Sequence, residues 1–139
     1  MCIRDRNWLA DMKKTLGIKH LSLKVKHFRE CLTFYTTIVC MEIDWQPDDS
    51  NAYLSNGKDN LALHEDKNLN LESSDNMLDH FGIMLTDKNH VDEWYDKVLA
   101  LDIEIYKKPQ DHRDGSRSFY CFDPDKNILQ FLWHPSLNK

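Results

Sequence analysis

The sequence predicts an α+β fold in which two βαβββ modules form a curled mixed sheet around a cleft. Three observations support this prediction. The chain has 139 residues, 41% hydrophobic and 29% charged, which suits one domain with its own core. Its apolar register repeats when the sequence is displaced by 60 residues. Each copy opens with a period-two pattern and continues with helical spacing.

The displacement by 60 residues aligns three identical pairs, which are His20 with His80, Tyr35 with Tyr95, and Ile43 with Ile103. Apolar positions also coincide over about the length of one strand and one helix. We interpret the two stretches as copies of one supersecondary unit.

The first copy opens with Ile18–Val25, whose apolar and polar residues alternate as in a half-buried strand. Helical spacing follows from Phe28 to Val39. Three short β-like runs separated by turn residues complete the copy, namely Met41–Trp45, Ala52–Leu54 and Asn60–Glu65.

The second copy repeats this order. Leu78–Leu85 alternates, Asp87 is the predicted N-cap, and helical spacing continues to Leu99. The predicted strands that follow are Ile103–Tyr106, Arg117–Phe122 and Ile128–Trp133.

The predicted organisation is an N-terminal extension over 1–16, with a helix over Asn7–Thr15, and one domain over 17–135. The domain comprises a module over 17–66 and a module over 77–135, joined by a polar, Asn-rich linker. Charges interrupt the first twenty residues, and no apolar run approaches the ~18 residues that span a bilayer. We therefore expect neither a signal peptide nor a membrane partner.

The formal net charge is −5, with acidic and basic residues interspersed. Phosphate binding needs a basic surface, so we expect no nucleic-acid partner. The four cysteines form no C-x-x-C pair, and we interpret them as reduced packing residues of a cytoplasmic protein.

Several segments carry a family resemblance. Gly17–Val25 resembles an opening strand, Phe34-Tyr35 before Cys40-Met41-Glu42 resembles an "FY…LGM" helix exit, and Asp123–Gln130 resembles "DPDGNxxE". Leu61–Glu65 is similar to an "NLHE" segment. Together they resemble the vicinal oxygen chelate superfamily, the glyoxalase, bleomycin-resistance and extradiol-dioxygenase group. Lys126 and Gln130 depart from its usual Gly and Glu.

The resemblance implies a metal site in the cleft, with its four ligand positions at His20, Ala62, His80 and Gln130. Two imidazoles suit a borderline divalent ion such as Zn, Ni, Fe, Co or Mn. Ala62 cannot ligate, and Gln130 offers a neutral carbonyl oxygen in place of a carboxylate. His64, on the same predicted face as Ala62, is a displaced candidate.

The leading hypothesis is a metal-dependent enzyme, a lyase, isomerase or ring-cleaving dioxygenase, acting on a small oxygen-chelating substrate. His64 or His134 would serve as its base. The loop bearing His112, Arg113 and Arg117 would bind a substrate carboxylate, unless it is simply a polar turn.

The alternative is a metal-free binding or drug-sequestering protein of the same fold. Four aromatic residues are available to stack on its ligand, namely Trp45, Tyr53, Phe119 and Trp133, although core packing explains aromatic residues equally well. Members of this fold often dimerise, and we expect a homodimer.

Overall fold

The computed structural model describes residues 15–73 and 77–137, so the helix predicted over Asn7–Thr15 and most of the extension lie outside the described residues. The first module contains β1 (His20–Val25), α1 (Phe28–Thr33), β2 (Glu42–Asp48), β3 (Asn51–Ser55) and β4 (Asn60–Glu65). The second contains β5 (Phe81–Met84), α2 (His90–Ala100), β6 (Ile105–Asp111), β7 (Arg117–Phe122) and β8 (Ile128–Trp133).

The two modules have the same topology. The first sheet has the order β1-β4-β3-β2 and the second the order β5-β8-β7-β6. In each, the opening strand pairs in parallel with the last strand, and the remaining neighbours are antiparallel. This identity confirms the predicted fold class and the internal repeat.

Strand register makes corresponding positions of the modules equivalent. Ser22 of β1 lies opposite Ala62 of β4, and Gly82 of β5 lies opposite Gln130 of β8. Ser22 and Gly82 each follow a histidine by two positions, so Ala62 and Gln130 occupy matching places relative to His20 and His80.

One face of each sheet packs against the helices, and the other is the cleft face. Alternate strand residues form the packed face because side chains alternate across a strand. Apolar residues of both modules contribute to a single core, whose largest fully buried members are Tyr35, Phe119, Phe131, Leu54, Leu63 and Leu129.

Two aspartates of the second module hold the first module in place. The Tyr35 hydroxyl donates to Asp123 Oδ2 at 2.5 Å, and both residues are buried. Asp125 accepts the backbone N–H groups of Lys26 and His27 at the start of α1. The Asp123-Pro124-Asp125 segment therefore links the modules by hydrogen bonds as well as by core packing.

Helical structure differs from the prediction in two places. The first helix changes to a π-helical turn over Phe34–Ile38, so only Phe28–Thr33 is α-helical. The second helix begins at His90 after Asn89, and the predicted N-cap Asp87 is wrong: its backbone carbonyl instead accepts His90 N–H at 3.1 Å.

Cys40 and Lys126 stand where the family pattern has glycine, and both adopt left-handed backbone conformations with φ of 68° and 67°. Glycine reaches this region without the steric cost that a Cβ atom brings. Cys40 and Lys126 thus adopt this conformation in spite of their Cβ atoms. Among the described helices, none is both long and apolar enough to cross a membrane.

Candidate functional site

His20 and His80 each have one ring nitrogen in a hydrogen bond to a neighbouring side chain, which leaves the other ring nitrogen available to a ligand. His20 Nδ1 lies 2.8 Å from Asn60 Oδ1, and His80 Nδ1 lies 2.6 Å from Asp79 Oδ2. Both partners are oxygen acceptors, so in the neutral rings each Nδ1 carries the hydrogen and each Nε2 has the lone pair. Metal-ligating histidines are commonly held in this way, with a carbonyl or carboxylate fixing the tautomer.

The free edges of β1 and β5 face each other across a pocket of about 270 Å³. His20 and Asn60 line it from the first module, and Phe81, Gly82 and Ile83 line it from the second. His80 lies just before β5, with its ring edge-on to Tyr120 at 5.3 Å between centroids. His20 therefore lines the junction of the two sheets, and His80 directly precedes the β5 strand on the other side of it.

Gln130 adds an oxygen donor on the second sheet. Its Nε2 donates to Ser118 Oγ at 2.9 Å, which leaves Oε1 as the free end of the amide. Oε1 lies 3.9 Å from the point that a Cβ atom on Gly82 would occupy, so it is close to β5.

The matching position in the first module offers no ligand. Ala62 is 1% exposed and has only a methyl side chain. His64 lies two residues further along β4, where Nδ1 is 2.6 Å from Asn51 Oδ1 and the ring is edge-on to Tyr53. Because Asn51 Oδ1 accepts, His64 Nε2 keeps its lone pair.

His134 is less suited than His64 to act as a base. It follows the end of β8, where Nδ1 accepts the Ser136 N–H at 3.0 Å and Nε2 faces Asp114 Oδ2 at 3.5 Å. Both ring nitrogens are therefore engaged, and the lone pair of the neutral ring is already in use.

The residues of the polar loop are divided between two faces. His112 Nε2 lies 2.6 Å from Ser118 Oγ, which joins His112 to Gln130 on the cleft face. Arg113 is exposed on the loop.

Arg117 lies on the helix side of the second sheet and is separated from this group. Its guanidinium donates to both carboxylate oxygens of Asp92 at 2.8 and 2.9 Å, and to Asp111 at 3.1 Å. It shares the face of the fully buried Phe119, as strand alternation requires. The structure thus separates Arg117 from His112, which is hydrogen-bonded to Ser118 on the cleft face.

The pairing of Arg117 predicts a measurable pH effect. Its hydrogen bonds hold the pKa values of Asp92 and Asp111 below the ordinary value of 3.8. In an Arg117→Gln variant we expect both pKa values to rise towards that value, because the guanidinium charge is gone. Carboxyl-carbon NMR titration measures this, with Asp48, whose lowered pKa has other causes, as the internal control. Unchanged values for Asp92 and Asp111 would contradict the pairing.

Few side chains in the cleft could hold the divalent metal that the family resemblance implies. Among residues 15–73 and 77–137, no group of three His, Cys, Asp or Glu side chains is arranged to hold a metal ion. The candidate set is therefore two anchored imidazoles with the Gln130 amide oxygen, and its donor types fit a borderline divalent cation.

The partners that orient these groups, Asn60, Asp79 and Ser118, were missed in the sequence. Two signals were available, because Asp79 directly precedes His80 and strand alternation puts Ser118 on the cleft face with Tyr120.

The buried cysteines are packing residues. Cys31 and Cys121 are free thiols with no exposed surface, and Cys40 is free and exposed. Burial raises the pKa of Cys121 to about 12 and that of Cys31 still further. These two thiols therefore stay protonated near neutral pH, which makes them poor nucleophiles.

Comparison with known proteins identifies the family. Residues 17–131 match the family described as the Glyoxalase/Bleomycin resistance protein/Dioxygenase superfamily. The metallothiol transferase FosB of Staphylococcus haemolyticus is 28% identical over 115 residues, which cover 82% of this chain and 81% of that protein.

Solved structures share the fold. Lactoylglutathione lyase from Agrobacterium tumefaciens superposes with a TM-score of 0.71 and 21% identity, covering 87% of this chain and 96% of that chain. The fosfomycin resistance protein FosX from Listeria monocytogenes superposes with a TM-score of 0.70 and 17% identity, covering 90% of this chain and 98% of that chain. With its paired modules and the family match over residues 17–131, the chain belongs to the glyoxalase/bleomycin resistance protein/dioxygenase superfamily.

Proposed function

We propose that the protein is a metal-dependent enzyme that acts on a small oxygen-chelating substrate, as a lyase, isomerase, ring-cleaving dioxygenase or group transferase. The observation that supports this best is the placement of two imidazoles at equivalent positions of the two modules, His20 at the start of β1 and His80 directly before β5. Each has Nδ1 hydrogen-bonded to an oxygen atom, which leaves Nε2 for a ligand. The names of a metallothiol transferase and a lactoylglutathione lyase among similar proteins agree with this class.

Three side chains would hold the cation, namely His20, His80 and Gln130. A bound divalent ion would supply Lewis-acid stabilisation of negative charge that develops on substrate oxygens. All three donors are neutral, so the site would keep the full charge of the ion. It would bind the ion less tightly than a site with carboxylate ligands.

Other residues of the cleft would handle the substrate. His64 Nε2 has a lone pair and would accept a proton, while Asn51 stabilises the resulting cation through Nδ1–H. Arg113 would contact an acidic group of the substrate from the exposed loop. We expect His112 to contribute through Ser118, to which it is hydrogen-bonded.

Metal uptake tests the proposal. Untagged protein, first stripped with a chelator, is titrated with Co²⁺, Zn²⁺, Mn²⁺, Ni²⁺ and Fe²⁺ and followed by calorimetry and, for Co²⁺, visible absorption. We expect saturable binding of at least one ion at one site per chain, with absorption typical of nitrogen and oxygen ligands. Failure of all five ions to bind at millimolar concentration would refute the proposal.

A metal-free binding protein is the second candidate, favoured by one observation. Trp45 is 59% exposed and stacks on Tyr53 at 5.1 Å between centroids, with His64 edge-on beyond it. Such a platform suits a planar ligand. Of the other aromatic residues considered, Phe119 is buried against Phe131 and Trp133 packs against the core. Quenching of Trp45 fluorescence by planar ligands in metal-free protein, unaltered in a His20→Ala/His80→Ala variant, would favour this candidate.

We also propose that the protein forms a homodimer. Edge strand β2 is exposed along its whole length, and Ile43 and Trp45 on it are 48% and 59% exposed. An unpaired, partly apolar edge of this kind offers a template for pairing with another chain.

A further inference from the structure

A chain of hydrogen bonds runs beneath the cleft face of the second sheet. Ser118 on β7 has no exposed surface, and its Oγ lies 2.6 Å from His112 Nε2 and 2.9 Å from Gln130 Nε2. The chain therefore connects the polar loop, β7 and β8 through one buried hydroxyl group.

The contact with Gln130 suggests a direction for this chain. The amide nitrogen of Gln130 can only donate, so Ser118 Oγ accepts from it. Ser118 keeps its own hydroxyl hydrogen, which it donates to His112 Nε2 when that nitrogen carries a lone pair. In that arrangement neutral His112 is the Nδ1–H tautomer.

This direction decides which end of the Gln130 amide is presented. The two ends are nearly equal in size, and a loosely held amide presents either the oxygen or the NH₂ group. With Nε2 bound to Ser118, Oε1 lies on the side of β5, 3.9 Å from the Cβ position of Gly82. His80 directly precedes β5, two residues before Gly82.

We propose that Ser118 and His112 are positioning residues that fix Gln130 so that its oxygen, and not its NH₂ group, is presented beside His80. The proposal rests on the proposed function, because presentation of this oxygen matters when Gln130 contributes to cation binding. A carboxylate can coordinate through either of its oxygens, whereas an amide has only one. The hydrogen bond from Gln130 to Ser118 would therefore be needed to turn the amide oxygen towards the ion.

A double-mutant cycle with Co²⁺ tests the role of Ser118. We expect Ser118→Ala to weaken Co²⁺ binding about 10-fold, as loss of a hydrogen-bond partner of a metal ligand does. In a Gln130→Ala background the same change should have no further effect, because the amide that it orients is absent. Equal effects of Ser118→Ala in both backgrounds would overturn the proposal.

Ser116 supplies a matched control. It is also a buried serine, 3% exposed, and its hydroxyl donates to Asp114 Oδ1 at 2.6 Å. Ser116→Ala removes the same group two positions earlier, just before β7, and should leave Co²⁺ affinity unchanged. His112→Ala, at a half-buried side chain, is a second variant that spares the packing of β7 and should weaken binding in the same direction as Ser118→Ala.

An NMR measurement on the metal-free protein separates this proposal from the proposed function. We expect ¹⁵N shifts of His112 to show a protonated Nδ1 and an unprotonated Nε2, and the side-chain NH₂ of Gln130 to exchange slowly with water. Exchange should accelerate in Ser118→Ala and not in Ser116→Ala. If the wild-type protein takes up no Co²⁺, the proposed function is wrong. If the exchange rate of the Gln130 side-chain NH₂ is unchanged in Ser118→Ala, the positioning role of Ser118 is wrong.

Discussion

Replacing His80 with alanine should reduce the affinity for a divalent cation by more than about 100-fold, a greater loss than the 10- to 100-fold that follows removal of a hydrogen-bond partner of a ligand. His80 supplies an imidazole whose tautomer is already set by Asp79, and the other proposed donors are equally uncharged. With only His20 and an amide oxygen left, too few donors remain to replace the water around the ion. Isothermal titration with Zn²⁺ and the visible spectrum of Co²⁺ measure the change.

His20→Ala should have an effect of the same size, since each histidine would supply one of the two imidazole ligands. The control is His90→Ala, because His90 lies at the start of α2, 4.0 Å from Glu93 and outside the cleft. His90→Ala should bind the ion like the wild-type protein. A normal affinity in either His20→Ala or His80→Ala would show that the corresponding imidazole is not a ligand.

Replacing Asp123 with alanine should lower the free energy of unfolding by about 3 kcal/mol or more, because several buried hydrogen-bonding groups lose their partner together. The carboxylate accepts from the Tyr35 hydroxyl, from the backbone N–H groups of Asp125 and Asn127, and from the Asn127 amide. It also joins the two modules, so the loss should appear in the cooperative unfolding transition. Urea unfolding followed by circular dichroism measures it.

Tyr35→Phe separates the link between the modules from the rest of the network. It removes one of the hydrogen-bond donors to Asp123 and leaves the three others, so we expect the free energy of unfolding to fall by about 1–3 kcal/mol. Thr36→Val on the same π-helical turn is the control, since the Thr36 hydroxyl donates to the Leu32 carbonyl at 2.7 Å and to the Thr33 carbonyl at 3.5 Å, both within the first module. A Tyr35→Phe variant as stable as the wild-type protein would show that this hydrogen bond contributes nothing to the joining of the modules.

The same carboxyl gives stability a pH dependence of known sign. Burial raises the pKa of Asp123 above the ordinary value of 3.8, and this outweighs the hydrogen bonds that lower it. The native state then holds the proton more tightly than the unfolded chain. The contribution of Asp123 to the free energy of unfolding is therefore largest below that value and falls as the pH rises through the raised native pKa. As the pH rises through the native pKa of Asp123, the free energy of unfolding of the wild-type protein should fall relative to that of an Asp123→Asn variant.

Local patterns were sufficient to predict the architecture. Strands β4, β7 and β8 have the predicted bounds, because alternation and flanking turn residues define them within a few positions. The predicted faces of His20, His64 and Gln130 also agree with the register, since strand alternation fixes the face once one neighbour is known to be buried. That His20, His80 and Gln130 ligate a metal remains a prediction.

Interactions between distant segments could not be predicted in this way. Tyr35 and Asp123 are 88 positions apart, and their hydrogen bond depends on how the modules pack. Arg117 was predicted to belong to a polar loop, but it is the first residue of β7. It lies two positions before the buried Phe119, so its side chain is on the face of the sheet that packs against the helices. The anchoring of ring nitrogens by Asn60 and Asp79 likewise depends on side-chain geometry that residue spacing does not specify.

The most direct test of the central claim is anomalous X-ray diffraction from crystals grown with Zn²⁺ or Co²⁺. The proposed site requires one peak about 2.1 Å from Nε2 of both His20 and His80, with Gln130 Oε1 also coordinating. A peak bound to only one of these histidines, or none at the junction of β1 and β5 under saturating metal, would contradict the claim.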